Sequence, residues 1–164
     1  MPRSFSRAVE SEVDVETVFG VLSGPEWATQ RGVALGDDSR LISRVETPEG
    51  GVTLVISRAL PSGIPGFLQK LLPSEPRATS TDVWGAAVNG VRRATWSAEI
   101  SGTPAALRGT MTIEPTATGN RHTIEGEVRV SIPLIGGRAE SYIAEQVGRL
   151  ADAEAIVVRD VLHP

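Results

Sequence analysis

The sequence predicts an α+β fold in which a seven-stranded antiparallel sheet packs against one long C-terminal helix. Three observations lead to this fold class. Short apolar stretches are separated by turn sequences, which is typical of consecutive hairpins. Two helical segments directly follow the first strand. From Gly137 to Leu162, apolar side chains instead recur at helical spacing.

The first elements are a strand and two short helices. Phe5–Glu10 alternates apolar and polar residues and is predicted to be a strand. Asp14 is a suitable N-cap for a first helix. Pro25 at the first position of a second helix and Gly32 at its end set the expected bounds of that helix. The expected buried stripe of the first helix consists of Val15, Val18, Phe19 and Leu22.

Two hairpins are predicted in the middle of the chain. Leu41–Thr47 and Val52–Arg58 flank a turn, and centring it on Glu49-Gly50 sets Val45 opposite Leu54.

The second hairpin joins Arg77–Ala87 to Val91–Ile100 through Asn89-Gly90, a strong turn signal. A two-residue loop sets Val88 opposite Val91, and counting outward sets Val83 opposite Trp96. This register predicts that Trp96 points inward with Thr81, while Trp84 lies on the outer face.

The third hairpin has a register supported by two patterns. Pairing Ile113 with His122 matches apolar residues across the ladder and sets Gly109 opposite Gly126. The same register sets Arg108 beside Glu127, a favourable pair of opposite charges. The two glycines favour either a sharp bend of the sheet or open space for a ligand.

The C-terminal helix carries one apolar stripe of small and medium side chains. We expect Leu150 to pack on the centre of the sheet, with Ile143 and Val147 bordering a cavity. The expected stripe consists of Ala139, Ile143, Val147, Leu150, Ala153, Val157 and Val161.

Composition excludes several function classes. The 164 residues contain no cysteine and two histidines, which excludes thiolate catalysis and cysteine metal sites. The net charge of −4 argues against nucleic-acid binding. No apolar segment approaches the ~20 residues of a membrane helix, so we expect no stable membrane insertion and a cytoplasmic location. No nucleotide, esterase or zinc-protease motif is present, and we expect no cofactor and no metal.

The order of elements resembles the helix-grip fold of the START-like (SRPBCC) superfamily. Three segments are similar to an uncharacterised bacterial branch of it: Gly63–Phe67, Thr116–Gly119 and Ile132–Arg138. The resemblance implies a single domain over residues 1–164, in which a strongly bent sheet wraps the C-terminal helix around an apolar cavity.

The leading functional hypothesis is a non-enzymatic protein that binds a hydrophobic, lipid-like small molecule. A cyclase- or dehydratase-like enzyme is the first alternative, with His122 as acid/base and Arg92 or Thr81 orienting a carbonyl. The second is docking of the apolar Phe67–Leu72 helix on a partner or a second copy of the chain. The expected cavity lining is Leu54, Ile56, Phe67, Leu68, Leu71, Trp96, Leu107, Met111, Ile124, Val128, Ile143 and Val147.

Overall fold

Seven antiparallel strands form one open sheet in the order β1-β7-β6-β5-β4-β3-β2. The computed structural model describes residues 2–164. This architecture confirms the predicted α+β helix-grip fold. The elements are β1 (Arg3–Ser11), α1 (Val15–Leu22), α2 (Trp27–Leu35), β2 (Ser39–Glu46), β3 (Val52–Ala59), α3 (Gly66–Gln69), β4 (Arg77–Trp84), β5 (Arg92–Ile100), β6 (Ala105–Pro115), β7 (Asn120–Val130) and α4 (Gly136–Leu162).

The first helix begins as predicted. The Asp14 side chain accepts a hydrogen bond from the Thr17 amide at 2.8 Å, which satisfies one unpaired donor of the first turn. The four residues of the expected stripe are all buried.

The predicted bounds of the second helix are wrong. α2 starts at Trp27, two residues after Pro25, and continues through Gly32 to a left-handed cap at Gly36, where φ is 70°. A Cβ atom at Gly32 would lie 3.1 Å from the Asp37 carbonyl oxygen. Gly32 is therefore explained by close packing rather than by helix termination.

The register predicted for β6 and β7 is confirmed at every pair, including Ile113 with His122 and Gly109 with Gly126. The Arg108 guanidinium and the Glu127 carboxylate lie 2.9 Å apart.

The register predicted for β2 and β3 is wrong by one residue. Val45 pairs with Thr53 instead of Leu54. The Thr47 amide donates to the Gly51 carbonyl at 2.9 Å, so the loop has three residues and ends on Gly50 with φ 90°. Glycine at this left-handed position favours a three-residue loop over a two-residue one.

A bulge changes the register of β4 against β5. The predicted bridge between Val88 and Val91 is present. The Gly85 amide, however, donates to the Arg93 carbonyl at 3.0 Å, so two residues of one strand oppose one residue of the other.

Every side chain of β4 consequently points to the face opposite to the predicted one. Asp82 pairs with Trp96 on the inner face. Trp84 is 2% exposed and packs edge-on against Phe19, 5.4 Å between ring centroids, so its predicted outer location is wrong. Thr81 lies on the outer face.

Small residues of α4 set how this helix packs. α4 lies on β1 and β7 and also contacts α1 and α2. Ala144 and Gly148 are buried, and a Cβ at Gly148 would lie 2.5 Å from the Arg7 guanidinium. Leu150 is only partly buried and lines a cavity beside Val147, so its predicted contact with the sheet centre is wrong.

Within residues 2–164, no helix combines the length and the apolar composition needed to cross a bilayer.

Candidate functional site

A cavity of about 610 Å³ lies between the inner face of the sheet, α4 and the segment that contains α3. Ala78, Ala98 and Leu107 contribute the wall formed by the sheet. The wall formed by α4 includes Ile143, Val147 and Leu150. Small side chains on β4 and β5 leave this space between the sheet and the helix.

The segment Ile64–Leu72 covers the cavity from one side. Leu68 is 8% exposed and, with Leu71, faces the cavity. Phe67 lies on the other side of α3, where the Arg138 guanidinium stacks 3.9 Å from the centre of its ring. One apolar side of this short helix therefore faces the cavity, and Arg138 covers the other.

The structure brings together five of the predicted lining residues, namely Leu68, Leu71, Leu107, Ile143 and Val147. The other seven do not line this cavity. Leu54, Ile56, Trp96 and Val128 are buried in the packed core, and Phe67 packs under Arg138. Met111 and Ile124 line a separate, smaller cavity. Alternation identified the inner face of β3, β5, β6 and β7 correctly, but it does not tell where that face is packed and where it is open.

Of the glycine pair on β6 and β7, Gly126 makes room for an aromatic ring. A Cβ at Gly126 would collide with the Trp96 ring and lie 3.0 Å from Phe5. The Trp96 Nε1 donates to the Glu125 carbonyl at 3.1 Å, across the neighbouring strands. The indole fills the space beside Gly126, while a Cβ at Gly109 would collide with the backbone of Glu125 and Gly126.

Charged residues line one part of the cavity wall. Arg58, Asp37 and Asp38 all contribute to it. Burial lowers the pKa of the Arg58 guanidinium, with a further contribution from the nearby positive charge of Arg31. Nothing in the sequence pattern singled out Arg58, because it stands at the predicted end of a strand.

A second cavity, about 70 Å³, contains His122 and Asp82. The His122 Nε2 atom is buried with no hydrogen-bond partner among the described residues, and burial lowers its pKa to about 4. Burial raises the pKa of Asp82 to about 7, and the negative charge of Glu154 adds to this. The inward direction of His122 followed from strand parity, whereas the predicted register of β4 turned Asp82 outward.

The residues considered for catalysis are not assembled. Arg92 donates to Glu16 at 2.7 and 2.9 Å and to the carbonyl oxygens of Gly50 and Gly85. Thr81 lies on the opposite face of the sheet from His122. His122 therefore shares its small cavity with Asp82 rather than with either expected partner. Within residues 2–164 no group of three or more acidic, His or Cys side chains could hold a metal ion.

Comparison with known proteins gives a family match. A family model described as "Protein of unknown function (DUF2505)" matches residues 6–162. An uncharacterized protein of Mycobacterium tuberculosis is 27% identical over 168 residues, which span 94% of this chain and 93% of the relative.

Solved structures share the START-like fold. Norcoclaurine synthase from Thalictrum flavum superposes with a TM-score of 0.59 at 15% identity, covering 100% of this chain and 88% of the enzyme. The lipid transfer and protein localization domain of human StarD13 also gives 0.59, at 16% identity, covering 98% of this chain and 77% of that domain. At these identities the likeness concerns the fold alone.

Proposed function

The chain belongs to the DUF2505 family, and we propose that it binds a hydrophobic, lipid-like small molecule in the 610 Å³ cavity. We further propose that residues 1–164 act as one domain, as a carrier or sensor of that molecule. The observation that carries the proposal is the mainly apolar cavity bounded by the sheet, α4 and the Ile64–Leu72 segment.

The size of this space favours a ligand site over a packing defect. Protein interiors are packed about as densely as organic crystals, and few voids exceed the size of a water molecule. Side chains that line a void lose dispersion contacts on that side. An apolar ligand restores those contacts, and the cavity of about 610 Å³ falls in the usual range of small-molecule sites, ~300–1,000 Å³.

The fold is compatible with ligand binding, but it does not distinguish a binding protein from an enzyme. A lipid transfer domain and an enzyme both have this architecture, and one fold serves many functions. The choice between them depends on the site. The 610 Å³ cavity is lined mainly by aliphatic side chains, and His122 lies outside it, beside two smaller cavities.

Isothermal titration with dodecanol tests the proposal. Ala98→Phe places a ring in the cavity, since Ala98 is on its wall, and we expect dodecanol affinity to fall at least tenfold. Ala106→Phe is the matched control because Ala106 is exposed and faces away from the cavity on β6. The proposal fails if the unmodified chain binds no dodecanol, or if the two variants bind it equally well.

A further inference from the structure

Arg58 is a cavity-lining cation without an ion-pair partner. It lies on the inner face of β3, opposite Ala78 of β4, and both residues line the 610 Å³ cavity. Among residues 2–164, no carboxylate oxygen lies within 4.0 Å of its guanidinium nitrogens. Arg58 is half-buried, and its lack of a carboxylate partner distinguishes it from Arg31, the fully buried arginine of this region.

The carboxylates around Arg58 are engaged by other arginines. Arg31 lies 2.9 Å from Glu154 and 3.6 Å from Asp37. Asp38, which also lines the cavity, lies 3.0 Å from Arg77. Glu154 and Asp37 act on Arg58 only through longer-range attraction, which the positive charge of Arg31 opposes.

An unpaired charge in this position is costly to the folded chain. A guanidinium stays protonated in proteins, so Arg58 cannot avoid the cost of burial by losing its charge. Removing an ion from water, even in part, disfavours folding when no partner replaces the lost hydration. A carboxylate or phosphate offers two oxygens in the geometry that a guanidinium binds best.

We infer that Arg58 binds the anionic head group of a single-chain amphiphile whose apolar body occupies the cavity. The inference rests on the proposed function, because it needs the chain of the ligand between the sheet and α4. It narrows the ligand class to fatty-acid-like molecules with a carboxylate or phosphate head.

The test compares ligands that differ only in the head group. We expect the unmodified chain to bind dodecanoate or dodecyl phosphate roughly 10- to 100-fold more tightly than dodecanol, the usual effect of a charged hydrogen bond. Arg58→Met should reduce this ratio to near one, and Arg58→Lys should retain part of it. Arg93→Met, an exposed arginine on the outer face of β5, should leave the ratio unchanged.

The outcomes separate this inference from the proposed function. Equal affinity of the unmodified chain for the three ligands overturns the role of Arg58 and leaves the cavity as a binding site. Failure to bind any of them overturns the proposed function itself. Urea denaturation adds a readout independent of ligand: removal of an unpaired cation should raise the midpoint of Arg58→Met. A lowered midpoint would reveal a partner within the protein and contradict the inference.

Discussion

The Asp82 carboxyl should make the folded chain less stable as the pH rises from 3.8 to about 7. The β4 bulge places this carboxyl on the inner face of the sheet, and burial with the charge of Glu154 raises its pKa from 3.8 to about 7. The folded chain therefore holds the Asp82 proton more tightly than the unfolded chain does. The stabilisation from this proton is complete below pH 3.8 and is lost as the pH rises to about 7.

The expected magnitude follows from the size of the shift. A pKa raised from 3.8 to about 7 corresponds to about 4 kcal/mol of unfolding free energy. His122 acts in the opposite direction, because its pKa is lowered from 6.5 to about 4 and stability is lost as the pH falls through that window. That contribution is about 3 kcal/mol, so the two groups largely offset each other between pH 4 and 6.5 in the unmodified chain.

Asp82→Asn removes the titrating carboxyl and leaves the opposing contribution of His122 in place. Urea denaturation should find the variant increasingly more stable than the unmodified chain as the pH rises from 4 to 7, by up to about 4 kcal/mol. Asp160→Asn is the control, because that side chain is 66% exposed at the end of α4. A stability difference that is constant across this range would refute the inward location of the Asp82 carboxyl, and with it the register of β4 against β5.

Two further predictions concern packing, and both are measured by urea denaturation. Gly126→Ala should lower the unfolding free energy by about 1–3 kcal/mol and shift tryptophan fluorescence, since the new methyl displaces Trp96. The control Gly137→Ala should change neither quantity, because no atom lies within 4 Å of the added methyl. Equal effects would contradict the ring position. Leu150→Ala should cost less than Leu54→Ala, for which we expect ~2–5 kcal/mol, because Leu150 lines a cavity and Leu54 is 1% exposed. A larger cost at Leu150 would contradict the packing of α4.

Features that depend on residues close together in the sequence were predicted correctly more often than features that depend on distant residues. Elements and their order were predictable, because periodicity and the Asp14 cap are local signals. The β6–β7 register was predictable as well, because apolar and charged pairs constrained it independently. The registers of the other two hairpins were wrong by one residue. The loop that ends on Gly50 has three residues instead of two, and a bulge between Gly85 and Val88 adds one residue opposite Arg92.

The site depended on interactions that are distant in sequence. Parity along β3 and β5 identified Leu54 and Trp96 as inward, but helices packed against the sheet decide which inward residues are covered. Leu107 and Val147 were predictable cavity residues, whereas Arg58 and Asp82 were not. The role of Arg58 depends on Arg31 engaging the nearby carboxylates, and Arg31 is 123 residues from Glu154 in the chain.

Methyl NMR of the chain during titration with dodecanol tests the cavity most directly. With isoleucine, leucine and valine methyls labelled, the account predicts shifts at Leu68, Leu107 and Val147, which line the 610 Å³ cavity. The methyls of Leu54 and Val128, both packed in the core, should keep their positions. Shifts confined to the core methyls, or no shifts at a saturating concentration, would contradict the binding of an apolar ligand between the sheet and α4.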